Sequence, residues 1–171
     1  MAEKGLTRNR NPGSMFAMKT KTSLLTLALC FAAGSVCLAS SYMGVWKLNP
    51  AKSTFAPGTT KNTVVVYKDA MGGKVKISVD SIDATGKAGH SEWTGKFDGK
   101  DYPVTGDPTS DMRAYTKVDD QTMNFTVKKG GKVVVNGRVA LAADGKSRTV
   151  TTSGTNAKGK KFKNTAVYDK H

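Results

Sequence analysis

One turn chemistry recurs down this chain and limits what the chain can fold into. Gly72-Gly73-Lys74, Thr85-Gly86-Lys87, Asp98-Gly99-Lys100, Gly130-Gly131-Lys132, Asp144-Gly145-Lys146 and Lys158-Gly159-Lys160 place lysines at steps of 13, 13, 32, 14 and 14 residues. The long step holds one further turn, Asp119-Asp120. Glycine in such pairs supplies the positive φ that tight hairpins need, and the lysine opens the returning strand. Lysines at strand ends also oppose edge-to-edge association.

Between the turns lie runs of β type: 62–68, 74–82, 88–97, 111–118, 122–128, 132–141, 147–153 and 161–168. Val75, Ile77 and Val79 alternate with Lys76, Ser78 and Asp80, and Met123, Phe125 and Val127 with Thr122, Asn124 and Thr126, a period of two. With 44–48 and 102–105 this makes about eight to ten strands in sequential hairpins. The fold expected is all-β: an up-and-down antiparallel meander over residues 40–171, closed into a barrel of about eight to ten strands, because closure removes both sheet edges. An open twisted sheet and a two-layer sandwich are the alternatives.

The N-terminal part reads differently. Lys19 and Lys21 precede an uncharged apolar run from Ser23 to Leu38, and Cys37 and Ala39 are small enough for signal-peptidase pockets. The run is 16 residues long, short of the ~20 that cross a bilayer. Residues 1–39 are therefore expected to be an N-terminal extension plus a cleavable signal, with translation starting at Met15 or Met18 (a long n-region being the alternative), and the product to be periplasmic or secreted and not integral to a membrane. Acylation at Cys30 or Cys37 is the alternative, although Leu29 and Val36 precede those cysteines. Cleavage after Ala39 leaves 132 residues without cysteine, carrying 22 Lys+Arg against 12 Asp+Glu, a balance of +10. Such a charge attracts anionic head groups, nucleic acid or acidic polysaccharide, and also serves solubility alone.

Gly44-Val45-Trp46 at the start of the first strand resembles the mark of lipocalins and the wider calycin group. The resemblance implies that Trp46 plugs one end of a barrel and that a late-strand arginine packs across it, with Arg138 and Arg148 as candidates. The run from Gly44 to Phe55, the segment Asp98–Gly106 and the ending Ala166-Val167-Tyr168-Asp169 resemble small exported bacterial proteins described as lipocalin-like. That likeness implies a fold and a compartment, and no activity. The chain departs from lipocalins in lacking a helix after its last strand, and from avidins in having two tryptophans only, which argues against biotin. It departs from fatty-acid-binding proteins in having a Pro57-Gly58 loop where they insert two helices.

Chemistry is sparse. His90 and His171 are the only histidines, no zinc-type cluster or calcium ladder is present, and no nucleophile elbow, phosphate loop or dinucleotide fingerprint occurs. His90 and Glu92 share a strand face with Thr94 and Lys96, a solvated face, while Trp93 and Phe97 occupy the other. A non-enzymatic, cofactor-free and metal-free binding protein is expected. The inward set is Trp46, Val64, Val66, Val75, Ile77, Val79, Trp93, Phe97, Met123, Phe125, Val127, Val133, Val135, Val139 and Leu141. Trp46, Trp93, Phe97, Phe125 and Tyr115 are the candidates to face a small apolar or amphipathic, conceivably anionic, ligand. Gly89, Ser91, Gly95 and Gly137 would leave room for it; a filled barrel is the alternative. A second function class is an interaction or inhibitor protein acting through the Asp101–Asp111 loop, with Tyr102 and Asp107 as contacts. Specific nucleic-acid binding lacks support, since Tyr67, Tyr102 and Tyr115 are too scattered to stack bases beside the lysines.

Overall fold

The computed structural model describes residues 41–156 and 159–171; the expected signal segment and its cleavage point lie outside them. Ten strands follow one another: β1 (Gly44–Thr54), β2 (Lys61–Ala70), β3 (Lys74–Ile82), β4 (Ala88–Gly95), β5 (Tyr102–Thr105), β6 (Met112–Lys117), β7 (Thr122–Lys129), β8 (Lys132–Leu141), β9 (Ser147–Thr155) and β10 (Lys161–Lys170). Each pairs antiparallel with the next, and β1 pairs with β10, so the meander closes into a barrel. The turn beat is the cause. Gly130 and Gly131, at φ +56° and +76°, form a two-residue hairpin between the paired Lys129 and Lys132, with the positive φ that matches strand twist.

Register carries the period of two from strand to strand and sorts side chains into inside and outside. One interior row runs Tyr67, Ile77, Trp93, Val104 across β2 to β5. A second runs Tyr115, Phe125, Gly137, Thr152, Asn164 across β6 to β10. A third joins Leu141, Arg148, Tyr168 and Leu48.

Three sequence expectations are corrected by this register. In β2 the buried residues are Val65 and Tyr67, and Val64 and Val66 take the outer face. The run Val64-Val65-Val66 has no alternation of its own, and pairing of Val65 with Trp46 decides the face. In β8 the pairing slips between Val135 and Val133. This bulge turns Val133 outward opposite Lys128 and leaves it 49% exposed. The glycines, finally, do not hollow the interior. A Cβ on Gly137 would run into the Phe125 ring, one on Gly95 would lie 2.6 Å from Tyr102, and one on Gly89 would lie 2.9 Å from the Ser81 hydroxyl. Aromatic rings from neighbouring strands lie over Gly95 and Gly137, a pairing that lets a strongly curved sheet keep its inner face covered. Gly137→Ala is accordingly expected to cost about 2 kcal/mol, because Phe125 must leave its rotamer; a thermal melt unchanged from wild type would show that the ring moves freely.

Candidate ligand-binding interior

The barrel has two unlike ends. The β2–β3, β4–β5, β6–β7 and β8–β9 turns lie at one end, with the chain entering there at Ser41. This end is sealed. Trp46 is fully buried and donates its Nε1–H to the Tyr42 carbonyl at 2.8 Å. The Arg148 guanidinium lies 4.7 Å from the Trp46 ring, 4.9 Å from Tyr67 and 5.0 Å from Tyr168. Arg148 is 2% exposed. Among the described residues it has no carboxylate partner, and its Nε and Nη1 have no hydrogen-bond acceptor. Three aromatic faces thus stand where a counter-ion would be, offsetting part of the cost of burying the charge. Of the two arginine candidates, the structure places Arg148 against Trp46; Arg138 is exposed and reaches Thr122 at 3.5 Å.

Above this seal sits an aromatic cluster. Trp93, 1% exposed, stacks on Phe97 at 6.2 Å and meets Tyr102 and Tyr115 edge-on at 5.8 and 4.8 Å, and Tyr115 meets Phe125 at 5.3 Å. The Trp93 indole donates to the Arg113 carbonyl at 2.9 Å. Burial pushes Tyr115 and Tyr168 up to about 12, so both stay neutral. Trp46, Trp93 and Tyr115 are therefore buried among side chains, while Phe97 and Phe125 are half-buried at the cluster's margin. Tyr42, Tyr67, Tyr168 and Arg113 belong to this interior and were not singled out from sequence. Strict alternation in β10 (Asn164, Ala166, Tyr168) is the signal that finds Tyr168.

The other end, with the β1–β2, β3–β4, β5–β6, β7–β8 and β9–β10 turns, is a mouth. Some inward-facing residues in this half keep partial exposure in mid-strand, although Val79, Val127 and Asn164 are buried. Phe125 is half-buried between the buried Met123 and Val127, and Val150 and Thr152 on β9 are half-buried too. Arg113 projects inward beside Val127, with its Nε unpartnered and Asp107 at 3.9 Å. On the rim a cleft of about 280 Å³ lies between Phe55, Pro57, Lys61, Ile82 and Ala84.

The loop candidates are tied down. Burial alone would raise the Asp107 carboxyl, but hydrogen bonds from Ser110 (2.6 Å) and Thr109 (2.7 and 2.8 Å), with Arg113 beside it, hold it below the usual carboxylate range. The Tyr102 hydroxyl donates to Asp98 at 3.0 Å. Both groups hydrogen-bond within the chain.

On the outer face His90 Nδ1 lies 2.6 Å from Asp80, its Nε2 3.7 Å from Glu92, and Lys76 lies 2.7 Å from Glu92. All are solvated. The hydrogen bond to Asp80, with Glu92 adding to it, raises the His90 pKa. The stabilisation is thus fully present below the unfolded imidazole value near ~6.5 and fades as pH rises through the higher folded value. NMR titration is expected to give His90 a midpoint above ~6.5 that Asp80→Asn lowers; no response to Asp80→Asn would rule the pairing out in solution. Among the described residues no three of His, Cys, Asp and Glu converge as a metal site.

Comparison with solved structures finds similar barrels. One is a redesigned β-barrel, mFAP1, bound to DFHBI: 14% identical, covering 78% of this chain and 98% of that one, TM-score 0.45. Another redesigned β-barrel is 15% identical, covering 81% and 99%, TM-score 0.47. The chain matches no protein-family model and no curated protein.

Proposed function

We propose that this chain is an exported, non-enzymatic barrel protein, periplasmic or secreted, that holds one small amphipathic, anionic ligand in the mouth-side half of its interior. The observation that carries the reading is the unequal sealing of the inner face. Trp46, Arg148, Tyr42, Tyr67 and Tyr168 close one end, while Phe125, Val150 and Thr152, inward by register, stay half-buried. An apolar wall that water still reaches is stabilised by whatever apolar group covers it. The sign of charge follows from the interior arginines: Arg113 has Asp107 nearby, and Arg148 has no carboxylate among the described residues. An unmatched buried guanidinium gives the barrel interior a positive potential that is weakly screened. Export rests on the segment before Ser40, with its paired lysines, uncharged run and small residues.

Two measurements test this. Native mass spectrometry of protein from its own host is expected to show a small anionic adduct. In the second, anilinonaphthalene sulfonate serves as the probe: Thr152→Phe adds a ring to the half-buried inner face of β9 and is expected to weaken binding at least about tenfold, roughly the energy of one small apolar group. No adduct, together with a probe indifferent to Thr152→Phe, would overturn the reading.

A further inference from the structure

The charges on the two ends of the barrel are distributed unequally. Around the sealed end, Lys68, Lys74, Lys96, Lys100, Lys117, Lys146 and Lys170 are nearly matched by Asp69, Asp98, Asp119, Asp120, Asp144 and Asp169, while Asp101 pairs with Lys128. Around the mouth, Lys61, Lys87, Lys129, Lys132, Lys160 and Lys161 outnumber Asp80, Asp83, Asp107 and Asp111. Asp80 lies against His90, Asp83 accepts from Thr85 and the Lys87 amide, Asp107 accepts from Thr109 and Ser110, and Asp111 accepts from the Gly130 amide of the β7–β8 turn. The six lysines are exposed, and among the described residues none of them is in an ion pair.

Large apolar side chains are exposed at both ends, Met71 (94%) and Val118 (50%) at the sealed end and three more at the mouth; at the mouth they stand among the unmatched lysines. Ile82, Met112 and Val133, exposed 42%, 39% and 49%, all stand at strand ends on the mouth side. The β8 bulge is what turns Val133 outward, and the half-buried Phe55 continues the apolar rim beside Lys61, whose ammonium lies 5.6 Å from its ring. Cations alone suit any polyanion. Cations interleaved with exposed aliphatic side chains suit a surface with negative head groups over hydrocarbon.

We propose that the mouth rim docks onto an anionic lipid bilayer, with the barrel opening turned toward the lipid. The lysines supply attraction within a Debye length and the three aliphatic residues supply shallow insertion. Each lysine brought to such a surface is expected to raise partitioning about fivefold, so two charge reversals at the rim have a large effect and two elsewhere a small one. This docking does not require that the interior hold a ligand, and either reading can fail alone.

The test uses the chain from Ser40, which contains every ladder of the closed barrel, 44–170, and so leaves out the apolar run 23–38. Binding is read by flotation with vesicles of phosphatidylcholine containing phosphatidylglycerol, and with phosphatidylcholine alone. Lys129→Glu with Lys132→Glu is compared with Lys74→Glu with Lys100→Glu, an equal charge change at the sealed end. Binding to the anionic vesicles only, weakened at least about tenfold by the rim pair and less than about threefold by the sealed-end pair, is the expected result. Ile82→Ser with Val133→Ser is expected to weaken binding further at raised salt while leaving the melting temperature within a few degrees. Equal losses from both charge pairs would overturn the orientation. Binding to soluble heparin or single-stranded DNA with no vesicle binding would overturn the lipid partner, and indifference to the aliphatic pair would overturn insertion.

Discussion

Trp46→Ala is expected to be among the most damaging single changes in the barrel, lowering stability by about 5 kcal/mol, at the upper end for a buried tryptophan. Two effects add. Removing the fully buried indole leaves a void at the sealed end and takes away a partner of the Tyr42 carbonyl. It also removes one of three ring faces that stand around a 2%-exposed guanidinium without a carboxylate. Stripping the partner from a buried charge costs more than the pair ever contributed. The same logic makes Arg148→Met mild, within about 2 kcal/mol, because a flexible apolar side chain keeps the volume and ends the desolvation penalty. In the Arg148→Met background, Trp46→Ala should therefore cost less than alone, by about 1–3 kcal/mol for residues in contact. Urea unfolding of the four proteins, followed by circular dichroism, reads this directly. Strict additivity would sink the account, leaving Trp46 as packing alone.

The overall architecture was legible because turn chemistry is local. Asp-Gly and Gly-Gly need only their own φ values to reverse a strand, so their spacing announced about eight to ten strands without any knowledge of contacts. Closure followed from the edge problem, and the ladder between β1 and β10 realises it. What stayed hidden depends on pairing. The face of Val64-Val65-Val66 is set by Trp46 on a neighbouring strand, and the outward turn of Val133 by a bulge that no residue in β8 announces. The glycines misled for the same reason. Gly95 and Gly137 read as gaps along their own strands, yet rings from β5 and β7 cover them. The candidate site was half legible: aromatic residues at inward parity were readable, whereas the cage around Arg148 needed Tyr67 and Tyr168 from strands far apart in sequence.

The other large effect is expected at Gly106, where the barrel is thinnest. β5 joins β4 through two residue pairs, Glu92 with Thr105 and Trp93 with Val104, and joins β6 through two more. Gly106 follows this short strand at φ +77°, and a Cβ there would run into the His90 carbonyl oxygen and lie 3.2 Å from the Ser91 Cα. Both obstacles are backbone in the middle of β4, so neither can swing aside. Alanine would meet the left-handed penalty of about 1–2 kcal/mol and would also push the β5–β6 loop off β4. Gly106→Ala is therefore expected to cost about 3–4 kcal/mol, the overpacking share being about 2. Gly58 separates the two contributions. It has nearly the same φ, +75°, with nothing within 4 Å of its Cβ position, so Gly58→Ala should cost about 1 kcal/mol only. The damage at Gly106 should also be local before it is global. Hydrogen exchange should speed up first at the Val104 amide, which donates to Asp111 across the base of this loop, while β8–β9 amides stay protected. Equal costs at the two glycines would mean that the loop yields and that β4 and β5 are not pressed together at this seam. A larger cost at Gly106, with Val104 exposed early, would place the barrel's weakest joint beside Trp93.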